Sequence, residues 1–217
     1  MTDPEYVATK LMKQGKAVLA SPFAELADWI AAQWQVVVLN VVYDEDKVLH
    51  SRRPRLQVIV EHSQECQRFF DGHNFDPVKQ QAIAAQFSEL LGRQHVRHYR
   101  VDNLLVVFSA FAPVAREEAD SRIADAELHA LRARIGNPQL WTIHRCFGRV
   151  RFMFYTDQQA ETHARAGSRE TYADLYFELL QRHDEFKYLH RAQFAVEFDS
   201  KETFDRDYQG SWFYYDR

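Results

Sequence analysis

Cysteine is scarce in this 217-residue chain: Cys66 and Cys146 are its two, far apart and neither in a CxxC pair. That is too few for a disulfide framework and points to a reducing compartment. Glycine (7) and proline (6) are also few, which excludes a low-complexity or disordered chain. A basic excess is missing. Net charge is −4 with both signs interspersed, which argues against a dedicated polyanion binder and so against nucleic acid as a partner. Apolar runs such as Val36–Leu39 fall far short of the ~20 residues that cross a bilayer, so no membrane partner is expected. Met1-Thr2-Asp3-Pro4-Glu5 is acidic and polar where a signal peptide is basic and then apolar, and a cytoplasmic location is expected. There is no G-x-S-x-G elbow, no Walker-type loop and no G-x-G-x-x-G, so the chain supplies little for nucleophilic catalysis; no cofactor is expected.

What the chain does have is core material: 46% hydrophobic and 14% aromatic residues, ample for one large domain. Asp3-Pro4, Ser21-Pro22 and Asp76-Pro77 each predict a helix start, with a side-chain acceptor at the N-cap and proline at the first helical position. Val7 and Leu11 follow the first. Phe23, Leu26, Ala27, Ile30 and Trp34 follow the second, and Ile83, Phe87, Leu90 and Leu91 the third. Strands are predicted over Val36–Tyr43, Leu56–Val60 and Leu104–Phe111, with a polar helix over Glu117–Ile135.

Leu140–Cys146 and Arg149–Tyr155 alternate on either side of Phe147-Gly148 and predict a hairpin. Val150, Phe152 and Phe154 should face the core, with Arg149 and Arg151 more exposed. Thr156 with Gln159 predicts a capping box, and Ser168 opens a helix with the stripe Tyr172, Leu175, Tyr176, Leu179 and Leu180. Phe194–Phe198 predicts a strand, Asp199 with Glu202 the cap of a short helix, and Ser211–Tyr215 a last strand. With no linker, repeat or composition break, the pattern predicts a single α+β domain over 1–217, a mostly antiparallel sheet with helices packed against it.

Ten histidines invite a search for metal ligands. Glu61, His62 and Cys66 are the tightest group, but zinc needs three or four convergent ligands and no second motif accompanies them. Cys66, Phe69 and Phe70 fit better as the apolar face of a short helix capped by Ser63. No metal is expected. His95-Val96-Arg97-His98-Tyr99-Arg100, with Arg93, forms a basic cluster able to hold an anion, which makes Arg97 and Arg100 candidate binding residues. Helix-dipole complementation explains the same cations, and pairing with Asp44-Glu45-Asp46 explains the basic loop Arg52-Arg53-Pro54-Arg55.

His144 and Cys146, two apart on one strand, share a sheet face and are the candidate catalytic pair, with no third group to orient them. The acidic run Asp199, Glu202, Asp205 and Asp207 reads as capping and surface charge. The dense Tyr208-Gln209-Gly210-Ser211-Trp212-Phe213-Tyr214-Tyr215 puts Trp212 and Tyr214 on one face of a strand and Phe213 and Tyr215 on the other. Trp212, Tyr214 and Tyr215 are therefore candidate residues for a protein partner or for self-association.

Three segments carry a resemblance: Phe154-Tyr155-Thr156-Asp157 through Tyr176-Phe177-Glu178-Leu179-Leu180, Phe198-Asp199-Ser200-Lys201-Glu202, and Gly210-Ser211-Trp212-Phe213-Tyr214-Tyr215. Together they resemble the C-terminal pattern of uncharacterised bacterial cytosolic proteins, among them immunity proteins encoded beside polymorphic toxins. The resemblance covers the last third of the chain and implies a non-catalytic protein-binding module, in its sharpest form an immunity-type protein, without assigning a site residue. The alternative is a hydrolase-like enzyme whose site is assembled from dispersed His and Cys residues.

Overall fold

The computed structural model describes residues 3–45, 53–146 and 148–217. These form an α+β architecture in which three of the five strand pairings are antiparallel. The chain divides into two compact units, 1–114 and 115–217.

In the first unit, α1 (Pro4–Lys13) and α2 (Phe23–Trp34) precede β1 (Val38–Glu45) and β2 (Pro54–Val60). Next come α3 (Ser63–Gln67), the short pair β3 (Phe70–Asp71) and β4 (Asn74–Phe75), α4 (Pro77–Arg93) and β5 (Leu105–Ala110). β1 runs antiparallel to β2, and β5 joins the other edge of β2 in parallel. One face of this sheet (Val41, Leu56, Val58, Val60, Val106, Phe108) packs on Leu26 and Ile30 of α2 and on Ile83, Phe87, Leu90 and Leu91 of α4. The sequence stripes on those two helices are therefore core.

α1 behaves differently. Tyr6 and Thr9 are its buried residues, while Val7 and Leu11 are exposed, so its inner face is rotated from the apolar stripe. The reason is polar: Asn40 on β1 is 2% exposed, and its amide donates to Thr9 Oγ1 at 2.9 Å.

The proline-led starts hold at Asp3 and Asp76, whose carboxylates accept from Glu5 N and Val78 N at 2.9 Å. Ser21 differs. Pro22 occupies the N-cap, and the Ser21 hydroxyl instead bonds the Glu25 carboxylate and the Gln94 side chain. The α3 cap is also relocated: the N-cap is His62, not Ser63. The Glu65 carboxylate accepts from His62 N and from Val37 N, each at 2.8 Å, tying the start of α3 to the entry of β1.

The boundary between the units falls inside α5 (Phe111–Ser121), which is why no linker composition marks it. The single helix expected over Glu117–Ile135 is two, α5 and α6 (Asp125–Ile135).

The second unit continues with β6 (Leu140–Cys146), β7 (Arg149–Phe154), α7 (Asp157–Arg165), α8 (Ser168–Gln181), β8 (Glu197–Ser200), α9 (Lys201–Tyr208) and α10 (Trp212–Tyr215). Gly148, at φ +73°, supplies the left-handed residue of the hairpin turn; Phe147 lies outside the described residues. Val150, Phe152 and Phe154 are buried against Tyr172, Tyr176 and Leu180 of α8, as the register predicts, and Arg149 is exposed. Thr156 and Gln159 make the expected capping box.

The strand predicted at Phe194–Phe198 lies at Glu197–Ser200. Ser200, rather than Asp199, caps α9, its Oγ accepting from Thr203 N at 2.8 Å. The strand expected at Ser211–Tyr215 is a helical turn instead.

The sequence has no visible repeat, yet the two units share a plan. β6-β7-β8 has the same order and directions as β1-β2-β5. In each unit the hairpin's first strand is irregular at the same rung, between Val38 and Asn40 and between Leu140 and Thr142, opposite the last residue of the second strand. In each a helix N-cap follows that last residue by two, His62 after Val60 and Thr156 after Phe154. In each the parallel strand runs straight into a helix, Ala110 into Phe111 and Ser200 into Lys201.

Candidate functional site

β6 and β7 each turn alternate residues to the sheet face away from α8. That face carries Trp141, His144, Cys146, Arg151 and Met153, with Glu197 and Asp199 from β8. Phe204, Tyr208, Trp212 and Tyr215 of α9 and α10 cover its middle.

As a helix, α10 pairs residues three apart rather than two. Trp212 and Tyr215 point inward together, and Phe213 and Tyr214 point outward, 63% and 50% exposed. The strand-based pairing of Trp212 with Tyr214 is thus corrected: Tyr215, 7% exposed, is an anchor, and Phe213 joins Tyr214 at the surface.

Asp216 organises this layer. Its carboxylate meets His144 Nε2 at 2.9 Å and Arg151 Nη1 at 3.5 Å, and its charge bears on the Cys146 thiol. Arg151 also holds Glu197 at 2.6 Å, and its guanidinium lies 4.8 Å from the centre of the Tyr215 ring. The His144 ring stacks on Trp212 at 3.7 Å. The Tyr215 hydroxyl donates to Asp199, which explains why Asp199 does not cap α9. Arg151 is more exposed than its buried neighbours on β7, but it lies under Tyr215 rather than in open solvent.

The third group that His144 and Cys146 lacked in sequence is therefore Asp216. The signal for it was weak: one acid following an aromatic run. The arrangement does not make a nucleophile. Burial pushes the Cys146 thiol pKa up, and the Asp216 carboxylate raises it further, so the thiolate is disfavoured. His144 Nε2 is engaged by the same carboxylate rather than by the thiol. Asp216 acts chemically as a staple, holding α10 on the sheet through His144 of β6 and Arg151 of β7.

The remaining candidates lie in the first unit. Arg97 is exposed, and Arg100 sits 4.0 Å from Glu45 while its backbone N–H donates to the Tyr43 hydroxyl. Arg55 pairs with Asp44 at 2.5 Å, one pair of the expected kind, and with Glu5 at 2.7 Å, while Arg53 donates to Asn103 O; Asp46 and Arg52 lie outside the described residues. Glu61 takes Lys13 at 2.7 Å, and Cys66 packs half-buried on the core, its thiol pKa raised by burial. Among the described residues no cluster of three His, Cys, Asp or Glu side chains is placed to hold a metal ion. Nor is any described helix long and apolar enough to cross a membrane.

Asp199, Glu202, Asp205 and Asp207 separate into local tasks. Glu202 accepts from Asp157 N at 3.0 Å, Asp205 pairs with Lys201, and Asp207 pairs with Arg206 at 2.8 Å.

Comparison with family models, with curated proteins and with solved structures finds no match to this chain.

Proposed function

We propose that this protein is a protein-binding module of the cytoplasm whose contact element is α10, with neutralisation of a partner protein, as immunity proteins do, its sharpest form. The observation that carries this reading is the division of labour within four aromatic residues. Trp212 and Tyr215 are spent on anchoring, and Phe213 and Tyr214 are held out in solvent with the Arg217 guanidinium 4.0 Å from the Phe213 ring centre. Aromatic and arginine side chains dominate binding hot spots. A pinned helix loses little freedom when it binds, which favours affinity. Two unpaired thiols fit a reducing cytoplasm. The hydrolase alternative is less well supported, because the carboxylate beside Cys146 disfavours the thiolate that such chemistry needs.

The test is site-specific photo-crosslinking in cells, with benzoylphenylalanine placed at 213, at 214, and at the well-exposed Val18 as control. A discrete adduct at 213 and 214 that is absent at 18, identified by mass spectrometry as a partner or a second copy, is the expected result. No adduct, or the same adducts at all three positions, would refute the reading.

A further inference from the structure

The first unit carries a cavity on the sheet face that α1 covers. Counted from the last rung of each parallel pairing, Gln57, Ile59 and Ser109 hold the positions that Arg151, Met153 and Asp199 hold in the second unit. In the second unit those three surround one phenol, that of Tyr215: its hydroxyl meets Asp199 and lies 3.6 Å from Met153 Sδ, and Arg151 lies over its ring. In the first unit the equivalent three side chains line a cavity of about 100 Å³. For scale, an engineered apolar cavity of ~150 Å³ holds benzene. At two thirds of that volume and open at its mouth, the space seats the hydroxyl-bearing edge of one ring, with the rest of the ring standing in the mouth.

The cavity's chemistry matches a phenol. Its wall is aromatic, since Tyr6 and Phe111 stack beside it at 5.1 Å with their planes 17° apart. Its polar edge is Glu5, Gln57 and Ser109. Gln57 Nε2 donates to Ser109 Oγ at 2.9 Å, and among the described residues nothing accepts the serine proton. Glu5 receives Arg55 at 2.7 Å, and burial raises its carboxyl pKa, the environment of an acceptor that gains from a further donor. A ligand hydroxyl that donates to Glu5 and accepts from Ser109 satisfies both. Asp3, exposed at the rim, marks the mouth.

We propose that this cavity binds a small single-ring phenol, with Glu5 and Ser109 reading its hydroxyl and Tyr6, Ile59 and Phe111 holding its ring. The site uses no residue of α10 and stands whether or not α10 binds a partner.

The full chain is titrated with p-cresol, and with toluene and p-methylanisole as probes that lack the hydroxyl or its proton. Heat of binding and the NMR signal of the Ile59 methyl are followed. The expected result is one-site saturation by p-cresol with Kd of ~1 mM, the scale of one-ring ligands, and a shifted Ile59 methyl. Toluene and p-methylanisole bind ~5–10-fold more weakly. Ser109→Ala, checked for an unchanged melting temperature, weakens p-cresol by a similar factor and leaves toluene alone. Three outcomes overturn the proposal: no shift of the Ile59 methyl, toluene binding as tightly as p-cresol, or p-cresol affinity indifferent to Ser109→Ala.

Discussion

Replacing Asp216 tests the account of the second unit most directly. Asp216→Ala removes the carboxylate that His144 and Arg151 share and whose charge holds the Cys146 thiol pKa up. The His144 and Asp216 side chains are each 16% exposed and that of Arg151 is 13% exposed, so these bonds are only partly screened. A hydrogen bond to a charged group contributes ~1.5–3 kcal/mol. Arg151 keeps Glu197 at 2.6 Å, so no cation is orphaned, and a loss of ~2 kcal/mol is expected. If residues 115–217 melt as their own cooperative unit, that loss lowers Tm by ~8–16 °C; if the whole chain melts together, by ~4–8 °C. Calorimetry distinguishes the two. Asp216→Asn keeps the shape and removes the charge, and the thiol pKa that the carboxylate holds up then falls. Cys146 should therefore react with iodoacetamide at pH 8 several-fold faster in that variant. Variants that melt within ~0.5 kcal/mol of the parent and alkylate Cys146 at the parent rate would refute the staple.

Other outcomes are expected elsewhere. Phe213→Ser with Tyr214→Ser should leave stability within ~0.5 kcal/mol of the parent by chemical denaturation, because both side chains are exposed, while Trp212→Ala should lose ~3–5 kcal/mol with its contacts to His144 and Phe204. Thr9→Val keeps the shape of a fully buried side chain but leaves the Asn40 amide without its acceptor, and urea unfolding should register ~1–3 kcal/mol. Asp157, bonded by Ser200, Thr203 and Arg206, has its carboxyl pKa lowered to about 2. Because the folded value lies below the unfolded one, its contribution is complete above the ordinary carboxylate range and is lost as pH falls toward about 2. With its side chain 44% exposed, screening limits the effect to ~1 kcal/mol. Asp157→Asn should flatten the stability–pH curve over that window, and an unchanged curve would contradict the assignment.

Local patterns were legible in the sequence wherever local physics decides. The caps at Asp3, Asp76 and Thr156, the stripes of α2, α4 and α8, and the register of the β6–β7 hairpin all follow from spacing alone. Where a distant partner decides, the sequence misleads. Trp212-Phe213-Tyr214-Tyr215 has strong strand propensity, but Asp199 and Met153 accept Tyr215 from a neighbouring face, and one helical turn is what delivers Trp212 beside it. Asp199 read as a cap for the same reason. The parallel pairings of β5 and β8 depend on crossovers through intervening helices, which hairpin logic does not anticipate. The shared plan stayed invisible because the corresponding rungs differ chemically, Gln57 against Arg151 and Ser109 against Asp199. Within the candidate site His144 and Cys146 were found by alternation. Asp216, seventy residues beyond Cys146, carried no signal that pointed back to them.

The crossover pairing has a consequence during synthesis. The hairpin of β1 and β2 can close as soon as it leaves the ribosome, but the far edge of β2 stays bare until β5 follows, after all of Glu61–Leu104 has been made. At ~5–20 residues per second that interval lasts seconds. Throughout it, Leu56, Val58 and Val60 present an apolar strand with unpaired amides and carbonyls, the kind of edge that recruits other chains. The second unit repeats the exposure, since β7 must wait for β8 while Val150, Phe152 and Phe154 stand ready. Each nascent chain thus passes twice through a window in which an apolar strand edge stands open to other chains.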